Sequence, residues 1–244
     1  MQHEEVYIKH FGKEWAAVLR PLFLSKPYKE VGLALAKLKK DGAHITPGYK
    51  NIFRAFKECP LHSLHTIIIS DDIYSGLTSQ KECLADGIAY SSNVSTDTPP
   101  PLNSIFEAID YDVFDSEYVP TSVWKYEWQE AVWDLKTWAN QGILMLNRSL
   151  TTLIGTPHAH TDLWAPIIDY IVYDTTSRTQ NLGIILMGDR VQEIGKRING
   201  KSHLILKCES PVDAIERKRS FQHNQVFSEV TKFHKTINNI KVKW

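Results

Sequence analysis

Four short apolar runs, separated by longer segments with helical spacing, constrain this chain more than any other feature. They are His65–Ser70 (HTIIIS), Ile143–Asn147 (ILMLN), Leu182–Gly188 (LGIILMG) and His203–Cys208 (HLILKC). Continuous apolar runs of this length predict strands covered on both faces, as in a parallel sheet, although periodicity alone leaves buried helix open. Between them, VGLALAKLKK from Val31 places Leu35 and Leu38 on one face and leaves Lys37, Lys39 and Lys40 for solvent. Further helices are expected after Pro101, over the Trp-rich stretch from Glu127 to Asn140, after Asp162, and from Phe221 to Ile237. Strands alternating with helices imply an α/β fold: a central four-stranded parallel sheet flanked by helices and joined by right-handed crossovers. Ligands in such sheets bind beyond the carboxyl ends of the strands. That rule selects Ser70–Gly76 and the segments that begin at Asn147, Gly188 and Cys208.

A length of 244 residues with 43% hydrophobic content suits a single domain spanning 1–244. Its 28 basic residues balance 28 acidic ones, so affinity for nucleic acid must come from local clustering of charge. Cys59, Cys83 and Cys208 are odd in number and lack CxxC spacing, which points to a reducing compartment. The amino-terminal stretch has no apolar core for a signal peptide, and no window approaches the roughly 18 apolar residues that span a membrane. The expectation is a protein of the cytoplasm, nucleus or nucleoid that is not secreted and has no membrane partner. Ser91–Pro101 (SSNVSTDTPPP) reads as a long surface loop. Trp124, Trp128 and Trp133 form an aromatic cluster, either core or an exposed interaction surface, with core preferred.

The selected loops carry a recognisable pattern. Asp71-Asp72-Ile73-Tyr74-Ser75-Gly76 resembles the QDPYHG water-activating motif of classical uracil-DNA glycosylases and, like that motif, follows an apolar strand. Gly87-Ile88-Ala89-Tyr90-Ser91 is similar to the family's GLAFS segment, and Pro99-Pro100-Pro101-Leu102 to its PPSL loop. The stretch from Trp138 to Asn147 (WANQGILMLN) resembles WARQGVLLLN, and the match runs on through Leu150 and Thr151 to His160. In order and spacing these pieces cover the chain from about Trp15 to about His234, with WANQGILMLN the most specific.

The resemblance assigns roles that suit the chemistry. Breaking an N-glycosidic bond needs a positioned water, stabilisation of a cationic sugar, and donors for the departing base anion. Asp72 aligns with the carboxylate that orients water; a turn or helix cap is its plainer reading. Asn147 aligns with the asparagine whose amide offers donor and acceptor to the edge of uracil. Tyr90 takes the place of the aromatic that stacks on the flipped base, and Tyr74 that of the tyrosine that excludes the thymine methyl. Asp71 stands beside them where the family has glutamine. No cofactor is implied. His158 and His160 have a spacing that suggests a metal pair, but no acidic or cysteine partner is evident, so no metal is expected.

Departures concentrate in the loops that grip DNA. Cys208-Glu209-Ser210-Pro211 stands where the family has HPSP, so a thiol, a weak donor, replaces the histidine that faces the base anion. One lost donor of this kind lowers a rate by about 10²- to 10³-fold, and Glu209 adds like charge. Pro101 replaces a phosphate-contacting serine, Gly188-Asp189 replaces Gly-Ser, and Ile73 and Ser75 replace the proline and histidine of QDPYHG. In the opposite sense, Arg217, Lys218 and Arg219 follow Glu216 on the expected rim and offer cations to phosphates, or else form a solvated surface run. Pro101, Gly188, Asp189, Ser210 and these three cations are the candidate DNA contacts.

Three readings stay open. One is a glycosylase of reduced activity on uracil, or a related flipped pyrimidine, in single- or double-stranded DNA. Another is a catalytically weak glycosylase-fold subunit that binds DNA or a replication or repair protein; the resemblance permits this because some viral members serve polymerases. A third is altered base specificity through Asp71 and Ser75.

Overall fold

The computed structural model describes residues 2–71, 73–113 and 133–244. Its centre is a four-stranded sheet of β2 (Thr66–Ser70), β3 (Ile143–Asn147), β5 (Gly183–Met187) and β6 (Leu204–Cys208), in the order β3-β2-β5-β6 with all pairs parallel. Each predicted strand lies within one residue of its apolar run. β2, β3 and β5 are buried throughout, as their continuous apolar character requires. β6 departs from that expectation. It is an edge strand with half-buried Leu204, Ile205 and Leu206 and an exposed Lys207, a charge that discourages pairing with another chain.

Helices α1 (Gln2–Phe11), α2 (Lys13–Val18), α3 (Arg20–Phe23) and α4 (Lys26–Lys40) precede the sheet. The first three were not expected, yet Phe11, Trp15, Leu19 and Leu22 recur at helical spacing and are almost wholly buried. Trp15 Nε1 donates to the Cys59 carbonyl at 2.7 Å, satisfying the one polar atom of a buried indole. α4 begins ahead of Val31, because Ser25 caps it by accepting from Tyr28 N at 3.3 Å and Pro27 occupies its first turn. As expected, Lys37, Lys39 and Lys40 are exposed, while Leu35 and Leu38 pack against the core.

A small antiparallel pair, β1 (Ile45–Thr46) with β4 (Thr152–Leu153), was not anticipated. It braces the loop after β2: Thr46 Oγ1 donates to the Tyr74 carbonyl at 3.3 Å. α5 (Arg54–Glu58) precedes β2, and α6 (Pro100–Val113) follows the proline-rich segment. The surface-loop reading of Ser91–Pro101 holds only for its middle. Ser91, Ser92 and Pro99 are buried, and Pro100 and Pro101 open α6. The first part of the expected Trp-rich helix, 127–132 with Trp128, lies outside the described residues, as does Trp124; its last turn is α7 (Lys136–Asn140), and Trp133 is buried core.

α8 (Thr161–Arg178) fulfils the expectation after Asp162. Short helices α9 (Asp189–Gln192) and α10 (Pro211–Glu216) leave the ends of β5 and β6. The last helix is shorter than Phe221–Ile237: α11 spans Val226–Phe233 and continues as a π-turn over His234–Asn238. Side chains explain the late start. Ser220 Oγ accepts from Gln222 N at 3.3 Å and Asn224 Oδ1 from Val226 N at 3.2 Å, local bonds that compete with helix. Among the described residues no helix is long and apolar enough to cross a membrane.

Candidate active site

Strand register builds the site. Ser70 pairs with Asn147 on one side and Met187 on the other, and Met187 pairs with Cys208. The last residues of all four strands therefore form one row at the carboxyl edge of the sheet, with side chains on a common face. Asn147 is 5% exposed, and its Oδ1 has no hydrogen-bond partner among the described residues. Leaving a buried acceptor unmade costs about 1–3 kcal/mol, so this atom is placed for something other than stability. The chain turns sharply after it: Arg148 N donates to the Ser70 carbonyl at 2.7 Å, and the Arg148 guanidinium pairs with Asp169.

The loop bearing Tyr90 is fastened at both ends. Asp86 accepts from Ile88 N at 3.0 Å and from Ser91 Oγ at 2.7 Å, and lies 2.5 Å from Arg54 Nη1. Arg54 also holds Asp134 at 2.7 Å. Burial pushes the Asp86 carboxyl up, and the Arg54 charge opposes that. Gly87, at φ 95°, crosses so near the preceding turn that a Cβ would lie 1.9 Å from the Asn51 carbonyl oxygen. Tyr90 itself takes a left-handed φ of 63°, uncommon for an aromatic residue. Tyr74 Oη donates to the Tyr90 carbonyl at 3.0 Å, which fixes one tyrosine against the other. The Tyr90 hydroxyl, in a side chain 4% exposed, has no hydrogen-bond partner among the described residues.

Asp71 continues the ladder, its N donating to the Met187 carbonyl at 3.1 Å. Its carboxylate is buried, with Oδ1 unpartnered among the described residues and Oδ2 accepting from Arg190 N at 3.3 Å. Burial raises the Asp71 carboxyl, partly offset by Arg190, whose guanidinium is 3.7 Å away. Gly188, at φ 110°, leaves room for it; a Cβ there would be 2.6 Å from the Asp71 Cβ. Asp72 lies outside the described residues.

Arg190 is the functional candidate that sequence reasoning missed. Attention fell on Asp189, which is exposed in the first turn of α9, while the next residue sets a half-exposed guanidinium beside Asp71 and 2.9 Å from His158 Nε2. A cation one position past a strand-end Gly-Asp was the available signal. His158 thus faces Arg190, whereas His160 is buried with Nδ1 3.0 Å from Thr151 Oγ1, so the two histidines serve different partners.

At the last strand end, burial and then the neighbouring Glu209 push the Cys208 thiol up to about 12, so it stays protonated near neutrality. Ser210 is buried and caps α10, its Oγ accepting from Val212 N at 3.2 Å. Glu209 does not stand alone as a repulsive charge. It pairs with Arg217 at 2.8 Å and with Arg219 through the same oxygen. Two of the three candidate cations are therefore engaged, and exposed Lys218 stands between them. Pro101 is half-buried in the first turn of α6.

A parallel α/β sheet whose carboxyl edge gathers a buried amide, two tyrosines and a carboxylate defines a strand-end site walled by aromatic and polar groups. No family model matches the chain. It is 30% identical to the uracil-DNA glycosylase of Pseudomonas aeruginosa (strain UCBPP-PA14) over 232 residues, 94% of this chain and 92% of that protein. It is 28% identical to the uracil-DNA glycosylase of Acinetobacter baylyi over 100% of this chain and 96% of that one. The fold matches mimivirus uracil-DNA glycosylase with a TM-score of 0.81 at 18% identity, covering 97% of this chain and 88% of the other. A mimivirus UNG variant in complex with UGI matches at 0.83 and 17% identity, over 97% and 89%. The chain belongs to the uracil-DNA glycosylase family, whose members are DNA-repair hydrolases.

Proposed function

We propose that this protein hydrolyses the N-glycosidic bond of uracil, or a closely related pyrimidine, flipped out of DNA, at a rate below that of relatives with a histidine at the last strand end. The observation that carries this reading is the buried, unpartnered amide oxygen of Asn147 at the β3 end of the strand-end row, next to Ser70. An asparagine held this way offers an acceptor and a donor to the edge of a pyrimidine. Tyr90 stacks on the base, Tyr74 closes the space a 5-methyl group would need, and Asp71 lines the same end. Asp72 orients the attacking water and stabilises the positive charge that grows on the sugar. Pro101, Gly188, Asp189, Ser210, Lys218 and Arg190 meet the DNA strand, with Arg217 and Arg219 contributing less because Glu209 already holds them.

A neutral Cys208 thiol supports the lowered rate, since a weak donor stabilises an anion poorly. The same observation favours a second reading, a DNA-binding replication or repair subunit with little turnover. A gel assay for abasic sites on single- and double-stranded uracil DNA, run beside Asp72→Asn, decides between them. Slow cleavage by the wild type that is lost in the variant is the expected result. Binding to DNA or a polymerase with no cleavage by either protein would replace the enzyme with the subunit.

A further inference from the structure

Asn147 ends β3, and among the described residues β3 is an edge strand with β2 as its one strand neighbour. A strand end held by a single ladder is where an aimed side chain most needs a second support. The Asn147 amide oxygen has no hydrogen-bond partner among the described residues, so its aim follows from the backbone that carries it. The next residue supplies the support. Arg148 N donates to the Ser70 carbonyl at 2.7 Å, which fixes the main chain to β2. Its guanidinium reaches the other way, to α8. There Nη1 and Nη2 pair with the two carboxylate oxygens of Asp169, Nη2 at 3.2 Å, and Nη1 also donates to the Ala165 carbonyl at 3.4 Å. The paired side chains are only 12% and 21% exposed, and exposed Arg197 donates to Asp169 Oδ2 at 3.3 Å. Ser149 Oγ then closes the turn by donating to the Thr151 carbonyl at 2.6 Å.

We propose that Arg148 and Asp169 are positioning residues for excision: their fork fastens the turn after β3 to α8 and so fixes the direction of the Asn147 amide. This rests on the glycosylase reading and names two residues that serve it without touching the substrate. Two parallel bonds define the plane of the guanidinium as well as its distance, which a point charge does not. Asn147 matches the edge of a pyrimidine only when its amide lies in the plane of that edge, and a displacement of about 1 Å in such a group lowers a rate about 10²-fold.

Arg148→Ala removes the brace and leaves Asp169 a partner in Arg197. Single-turnover excision from uracil DNA should fall about 10²-fold, with the Kd for the DNA unchanged. Arg148→Lys, which keeps the charge and loses the fork, should recover part of the rate, and it carries the same comparisons if Arg148→Ala fails to fold. The loss should vanish in an Asn147→Ala background, because a residue that acts through Asn147 then has nothing to position. Arg197→Ala, which leaves the fork in place, should excise at the wild-type rate. A second readout needs no turnover. The side-chain amide resonances of Asn147, assigned by their absence in Asn147→Ala, should shift or broaden in Arg148→Ala and Arg148→Lys and stay in place in Arg197→Ala. Excision by Arg148→Ala at the wild-type rate would overturn the proposal, as would unchanged Asn147 resonances. A loss of the same size in the Asn147→Ala background would make the pair mere framework, and a Kd that weakens in step with the rate would make Arg148 a DNA contact; either result overturns it. If the wild type cleaves nothing, the glycosylase reading fails on its own, and the amide resonances alone decide whether the fork positions Asn147.

Discussion

The two ends of the central sheet are both polar and both buried, yet they are finished differently. At the amino end three histidines are closed into hydrogen bonds. His65 Nδ1 is 2.8 Å from Thr66 Oγ1, which is 3.0 Å from His234 Nε2, and His234 Nδ1 is 2.8 Å from Asn238 Nδ2. His203 accepts from Leu182 N at 3.3 Å and lies 2.9 Å from the Thr176 carbonyl oxygen. At the carboxyl end, Asp71 Oδ1, the Tyr90 hydroxyl and Asn147 Oδ1 are buried with no partner among the described residues. A protein that satisfies one polar end and leaves the other open is holding donors and acceptors for something that arrives.

Substitutions at the open end should therefore separate activity from stability. Asn147→Ala is expected to lower single-turnover excision by about 10³-fold while leaving the urea midpoint unchanged or higher, because it deletes an unsatisfied group. A large loss of stability would show that Asn147 belongs to the framework after all. Gly188→Ala should act on both properties. Its Cβ meets the Asp71 Cβ at 2.6 Å and its φ is 110°, so we expect about 1–3 kcal/mol of destabilisation in urea unfolding together with weaker excision.

The rim offers a finer test. Lys218→Ala, which removes the exposed cation between the two held by Glu209, should weaken DNA binding several-fold and reduce the slope of log K against log salt by about one. Arg217→Ala should change that slope less, since its charge is already matched by Glu209. Equal slopes for the two variants would erase the distinction between an available and an engaged cation.

A test of a different kind concerns the closed end. Burial, and then His65, hold His234 at about 4, below its ordinary value. The neutral ring is therefore favoured by the fold, and its contribution is fully present above the unfolded value of about 6.5. Stability should fall as pH drops from about 6.5 toward 4 and then level off with respect to this group. Denaturant unfolding across that window, with His234→Gln flattening the slope, checks the sign.

Which parts were legible follows from the range of the interactions. β2, β3 and β5 announce themselves because residues buried on both faces leave a continuous apolar run, and Asn147 falls at the end of one. Tyr74 and Tyr90 were placed by resemblance, whereas the bond between them joins residues in separate loops and left no trace in spacing. The clamp of Arg217 and Arg219 on Glu209 depends on how α10 folds back after β6, so a cluster of cations in the sequence overstated the free charge. Arg190 escaped notice for a related reason: what makes it interesting is Asp71, more than a hundred positions earlier.

Because the Tyr74 hydroxyl holds the Tyr90 backbone, the two tyrosines proposed to wall the base pocket cannot evolve independently. A change at 74 that widens the space for a larger pyrimidine also loosens the ring expected to stack on it. Routes to new base specificity should therefore pass through paired substitutions at 74 and 90, and a library that varies either position alone will mostly sample damaged pockets.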